Sequence, residues 1–310
     1  MRFELTEDQR DLASALEGLL ASSDTAGIAR AWADGDHDPG SKLGARLQDM
    51  GLNDLATEAS PVELCIAFEA LGRYAVPGPW VETAAYLPTA FGRNLGDTWA
   101  TVAVPPHVPY ALDADIVAEV YIAVDGRLHK ASAHDAVASV DRARRLCPVT
   151  PLEPVEHTDL DAAFDLAVLA VSAQLLGAGE RLLADSVTYA KQRKQFGREI
   201  GSYQAIKHQL ADVRIALDFA RPLILGAALT IAGPDGPRDV SAAKVAVSDA
   251  AYLASRVALQ VHGAIGYTQE FDLSLWITKV RALVGAWGTP AYHRGRVLDA
   301  LVSTRSTDGG

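Results

Sequence analysis

The chain has 310 residues, 49% of them hydrophobic and 22% charged, a composition ordinary for a globular protein with a substantial core. Its 28 Lys+Arg against 39 Asp+Glu give a formal net charge of −11, with no basic surplus to displace counterions, which argues against nucleic acid as a general partner. Cys65 and Cys147 stand alone, without CxxC or His-rich spacing, which points to a reduced compartment and no metal site. The N-terminal stretch MRFELTEDQRDLASALEGLL is acidic and has no cationic-then-apolar block, so no signal peptide is expected. No uncharged apolar run reaches bilayer length. The expectation is a cytoplasmic protein without a membrane span.

Residues 1–95 predict helices with short breaks. Thr6 before Glu7-Asp8-Gln9 reads as a cap followed by acids in the first turn, and Leu12, Leu16, Leu19 and Leu20 then repeat at helical spacing. The polar stretch 24–38 predicts a loop around a short helix. Residues 43–50 and 61–73 predict two more helices, with Gly51 at a C-cap position. Pro77-Gly78-Pro79 forms a rigid break before a helix from Val81.

Residues 96–156 change texture and predict a small β domain. Short β-branched runs at 101–104, 116–124 and 136–140 are punctuated by turn residues, and Asp125-Gly126 marks a tight hairpin. The region is too short for a barrel with its own deep pocket. Residues 157–303 carry four long helical patterns, at 159–192, 203–232, 240–262 and 273–303. Short loops join them, and the last breaks between Gly285 and Pro290. That is the pattern of a four-helix bundle, with a disordered tail at 304–310. The fold class is mainly α with a small β domain. Neither a Walker A sequence nor a strand-led GxGxxG is present.

One stretch, YAKQRKQFGREIGSYQAIKHQLAD at residues 189–212, gathers cations and amides at a helix end in an otherwise acidic chain. Such a place suits a phosphate-bearing, planar ligand, or is simply a solvated helix face. Arg193-Lys194-Gln195-Phe196-Gly197 resembles the R-x-x-F-G turn of the acyl-CoA dehydrogenase family, with Gln204 where that family places a glutamine. Gln260-Val261-His262-Gly263-Ala264-Ile265-Gly266-Tyr267 resembles its Q-x-x-G-G-x-G-Y segment, with Ala264 for the second glycine. Gly288-Thr289 matches its late Gly-Thr pair. Together with the order of helical domain, β domain and bundle, the pieces make a specific resemblance.

The resemblance implies FAD as cofactor and an acyl-CoA as substrate, oxidised by α,β-desaturation. Arg193 would pair with a pyrophosphate oxygen, while Phe196 and Gln204 would contact the adenine end. Gly263 and Ala264 would let the backbone approach the phosphates. Gln195, Gly197, Gln260, Gly266 and Thr289 complete the implied cofactor-binding set. Family members are usually tetramers in which the Arg and Gln-x-x-Gly-Gly pieces of one subunit reach the FAD of its neighbour.

Two departures matter. The family's catalytic glutamate most often directly precedes the Gly-Thr pair, and Trp287 stands there. A minority place it on the first bundle helix, where spacing maps to Ala167. Neither can take a proton, so no catalytic residue is assigned. Asp165 lies two positions from Ala167, about 200° around a helix, and reads as a solvated or capping acid rather than a displaced base. Glu180, Glu270 and Asp272 are equally remote alternatives. The β region is also about half the length that relatives use, without counterparts of their flavin-ring motifs. The combination looks like the shortened, base-lacking subunit of actinobacterial, steroid-degrading α2β2 acyl-CoA dehydrogenases. Such a chain would complete the FAD of a homologous partner subunit that holds the catalytic Glu. A self-sufficient homotetramer with a relocated base, or a non-catalytic assembly chain, are the alternatives.

Overall fold

The computed structural model describes residues 4–268 and 271–307. The N-terminal third is helical, with α1 (Glu7–Ala21), α2 (Thr25–Ala33), α3 (Asp38–Asp49), the short α4 (Leu55–Glu58) and α5 (Pro61–Arg73). Thr6 caps α1 through a reciprocal pair with Gln9, and Gly51 takes a left-handed conformation (φ 84°) after α3. A π-helical turn (Glu82–Tyr86) runs into α6 (Leu87–Phe91).

The middle of the chain forms β1 (Ala100–Ala103), β2 (Ala111–Leu112), β3 (Glu119–Val124), β4 (Arg127–Ala133), β5 (Leu146–Cys147) and β6 (Val149–Val155). Four of these make one sheet in the order β1-β3-β4-β6, with β1 parallel to β3 and the other pairs antiparallel; β2 and β5 pair separately. Asp125 and Gly126 both have positive φ, at 52° and 68°, the type I′ geometry that the right-handed strand twist favours. Residues 136–140 depart from expectation. They contribute an isolated bridge from Val137 to Leu146 instead of a strand, and Val137 and Val140 are exposed. A β-branched run without a buried face or a neighbouring strand gains nothing from extending.

The rest is α7 (Leu160–Gln192), a two-residue hairpin β7 (Lys194–Gln195) and β8 (Arg198–Glu199), α8 (Gln204–Thr230), α9 (Gly236–His262), α10 (Leu273–Gly285) and α11 (Pro290–Thr307). By length and composition α7 could cross a membrane, but 89% of its most apolar window is buried, so it is the central helix of the bundle. Asp159 caps it by accepting from the backbone of Asp161 and Ala162. Small residues let other helices close on it, since a Cβ on Gly177 would collide with the Glu69 carbonyl of α5. One continuous core runs from the N-terminal helices through the inner face of the sheet into the bundle. The expected disordered tail is corrected at its start: α11 continues to Thr307, because neither Gly nor Pro stands between Arg296 and Thr307 and the Ser303 hydroxyl bonds back to Asp299 and Ala300. Residues 308–310 and Glu270 lie outside the described residues.

Candidate functional site

The predicted cofactor-binding residues fall into two places. The first is the end of the bundle where α7 stops, α8 starts and α9 stops. Arg193 caps α7, its N–H donating to the Tyr189 carbonyl at 2.8 Å, while its carbonyl accepts from Ile200 at 2.8 Å. The chain then turns through Phe196 (φ 52°) and Gly197 (φ 81°), a second type I′ turn. The Tyr203 hydroxyl donates to the Gln195 carbonyl, and the Arg198 guanidinium stacks 4.0 Å over the Tyr203 ring, which props the hairpin against the start of α8. Gln204 opens α8 and is exposed. Arg193, Lys194 and Gln195 are exposed too, and no carboxylate among the described residues pairs with Arg193. Phe196 is 93% exposed. A phenyl ring at a hairpin tip, in a backbone region that L-residues avoid, gains nothing inside this chain.

The glycine-containing motif closes the same end. Gln260 occupies the last turn of α9, Gly263 ends it, and residues Gly263–Tyr267 form a 3-10 turn carrying Ala264 and Gly266. Gly263 has φ 63° and ψ −141°, a region open essentially to glycine alone. An added Cβ there would meet nothing within 4 Å, so its backbone stands bare beside open space. That space is a groove of about 730 Å³ lined by Gln209, Arg256, Gln260, Gly263 and Ala264. Gln209, on α8, was not anticipated from the sequence; its Oε1 is buried without a hydrogen-bond partner. The two motifs are locked together by Tyr189 and His262, whose rings stack 4.2 Å apart.

Thr289 does not join this set. Its hydroxyl caps α11 by accepting from the Tyr292 backbone, next to Trp287 and Phe164. Phe164 lies near the start of α7 and Arg193 at its end, so the helix holds the two places roughly 40 Å apart. A single FAD cannot be held by both places of one chain.

Around Trp287 the interior is filled. Its side chain is 1% exposed and packs against Tyr86 (5.2 Å between ring centroids) and Phe164 (6.0 Å). His293 donates to the Trp287 carbonyl at 2.9 Å and contacts the Ser241 hydroxyl at 3.2 Å. Ala167 is fully buried. Asp165 is neither solvated nor a cap: it is buried, and Arg296 of α11 donates to it at 2.7 Å. Burial pushes its carboxyl above the ordinary range, against the opposing pull of Arg296. Glu180 is likewise buried and accepts from Arg214 and Arg221 at 3.0 and 3.1 Å. Asp272 is paired with Arg30 at the surface. Each described carboxylate considered as a relocated base is occupied by an arginine.

A family model, "Acyl-CoA dehydrogenase, C-terminal domain", matches residues 160–302. The acyl-CoA dehydrogenase IpdE2 of Mycobacterium tuberculosis is 32% identical over 228 residues, covering 70% of each chain. The chain belongs to the acyl-CoA dehydrogenase family. The family comprises flavoprotein oxidoreductases acting on acyl-CoA, with FAD as cofactor. Among solved structures, the ChsE4-ChsE5 complex of Mycobacterium tuberculosis superposes with a TM-score of 0.84 at 20% identity, over 97% of this chain and 99% of the other. The Tcur3481-Tcur3483 steroid ACAD gives 0.79 at 19% identity, over 97% and 99%. These two likenesses establish the acyl-CoA dehydrogenase fold.

Proposed function

We propose that this chain is the base-lacking subunit of a hetero-oligomeric acyl-CoA dehydrogenase and lends its Arg193 end to an FAD held mainly by a homologous partner. The observation that carries this reading is the contrast between the two places. Where the family keeps its base, Trp287 and its aromatic neighbours fill the space; where the family reaches towards a neighbour's cofactor, Arg193, Phe196 and Gly263 stand exposed. The exposed end fits one end of FAD: a guanidinium for the pyrophosphate, a ring and amides for the adenine, and bare backbone at Gly263 for close approach. Gln195, Gly197, Gln204, Gln260, Ala264 and Gly266 would shape that end, and Thr289 would not contribute to the same FAD.

FAD, when bound, supplies hydride acceptance from the substrate β carbon. This chain's own part is to orient the nucleotide end and to neutralise its charge. The partner supplies the glutamate that removes the α proton. An exposed apolar stripe on α8, Ile215, Phe219 and Leu223 at four-residue steps, with Phe219 72% exposed, supports burial against another chain. The assembly would be an α2β2 tetramer in the cytoplasm acting on a steroid-derived acyl-CoA; in support, one structural relative is a complex of two different chains, ChsE4 and ChsE5, and another is described as a steroid ACAD. The test is turnover by the complex with its homologous partner, comparing ring-bearing with straight-chain acyl-CoA. Faster turnover of the straight-chain substrate would remove the steroid assignment. Full activity of the partner without this chain would remove the subunit role.

A further inference from the structure

A cleft far from the motif-bearing end opens where α1, α5, α7 and α8 converge, with a volume of about 540 Å³ among the described residues. It exists because the facing positions are small: Ala13 on α1, Ala70 on α5 and Ala173 on α7 stand where leucines would close the packing. Ile66, Leu176 and Ile224 supply larger apolar walls. A well-formed apolar concavity of this size with a few convergent polar groups is the usual form of a small-molecule site.

Its polar groups decide the class of ligand. Glu69 accepts from Arg221 in a two-pronged pair at 2.7 and 3.0 Å and lies 3.5 Å from Arg73. Glu17 accepts from the Tyr74 hydroxyl. Among the lining residues Glu17 and Glu69 balance Arg73 and Arg221, and Arg221 also donates to Glu180, so the lining carries no surplus of positive charge to hold a carboxylate or a polyphosphate. Arg73 keeps a third of its side chain exposed (33%) and can donate to an incoming oxygen, while Glu17 can accept from a hydroxyl.

We propose that this cleft binds a neutral, apolar-bodied molecule that carries one hydroxyl or carbonyl, the apolar body lying on the alanine floor and the oxygen meeting Arg73 or Glu17. The site is independent of the flavin reading.

The probe is N-phenyl-1-naphthylamine, a neutral apolar dye, titrated by fluorescence against the full chain, with the anionic 1-anilinonaphthalene-8-sulfonate for comparison. Ala70→Phe and Ala13→Trp fill the cleft from two helices, and Ala13 lies on the outermost one, so at least one variant tests the site if the other fails to fold. The expected result is saturable binding of the neutral dye, about tenfold weaker in each folded variant, with the sulfonate binding less well. Unsaturable binding, equal binding by the filled variants, or preference for the sulfonate would overturn the proposal.

Discussion

Tyr189 and His262 stack at 4.2 Å with a 30° interplanar angle, one four residues before Arg193 and the other immediately before Gly263. Neither is assigned a cofactor contact, yet together they fix the relative position of the two motifs that are. The His262 Nδ1 is held by the Ala258 carbonyl at 2.8 Å, so the ring is oriented from its own helix. Tyr189→Ala or His262→Ala should weaken FAD retention by the complex a few-fold, from the loss of about 0.5–1.5 kcal/mol of ring contact. Tyr189→Phe should leave it unchanged, as flavin release on dilution would measure.

Arg193→Ala removes a charge-assisted hydrogen bond worth about 1.5–3 kcal/mol, so FAD affinity of the complex should fall by about tenfold to a hundredfold. Arg193→Lys should recover only part of it, because an ammonium cannot present the two-pronged guanidinium geometry. Unchanged flavin content in Arg193→Ala would favour the non-catalytic assembly reading.

Trp287→Glu restores the family's residue but should yield no dehydrogenase activity in the chain by itself. The new carboxylate would be buried against Tyr86 and Phe164 without a partner. Trp287→Ala should lower stability by about 3–5 kcal/mol through the cavity it leaves, measurable by chemical denaturation.

Arg296→Ala should cost about 3–5 kcal/mol, because it strands the buried Asp165 charge; Arg296→Met with Asp165→Leu should recover most of that. A double-mutant cycle of Arg296→Met, Asp165→Leu and the pair separates an ion pair from simple packing.

A cluster of buried ionisable groups gives a pH signature. Burial raises Asp113 to about 7 and lowers Lys244 to about 7. Asp113 binds its proton more tightly in the folded chain, so its contribution is present at low pH and is lost as pH rises through about 7. Lys244 works in the opposite sense: its contribution is present at high pH and is lost as pH falls from its unfolded value towards about 7. Asp113→Asn should therefore raise the melting temperature at pH 8 and leave it nearly unchanged at pH 4. The backbone there has φ 53°, which asparagine tolerates.

Much of the fold could be read from the chain because apolar periodicity is strong in the long helices, and Asp125-Gly126 can only turn one way. The motif segments at 193–204 and 260–266 lie at the same end of the bundle, joined through the Tyr189–His262 stack. Asp165 was misread, because helical spacing gives its direction but not the Arg296 that meets it 131 residues later. The run at 136–140 was misread for the related reason that strand propensity does not supply a neighbouring strand. Asp113, Lys244 and Gln209 carried no local signal: their burial is a product of tertiary packing.

The most direct test is the flavin-to-protein ratio of the chain purified alone and with its homologous partner. A chain that holds only half of the site should be colourless alone and should form a yellow complex with one FAD per pair of chains. A yellow, catalytically active preparation of this chain alone would contradict the proposed subunit role.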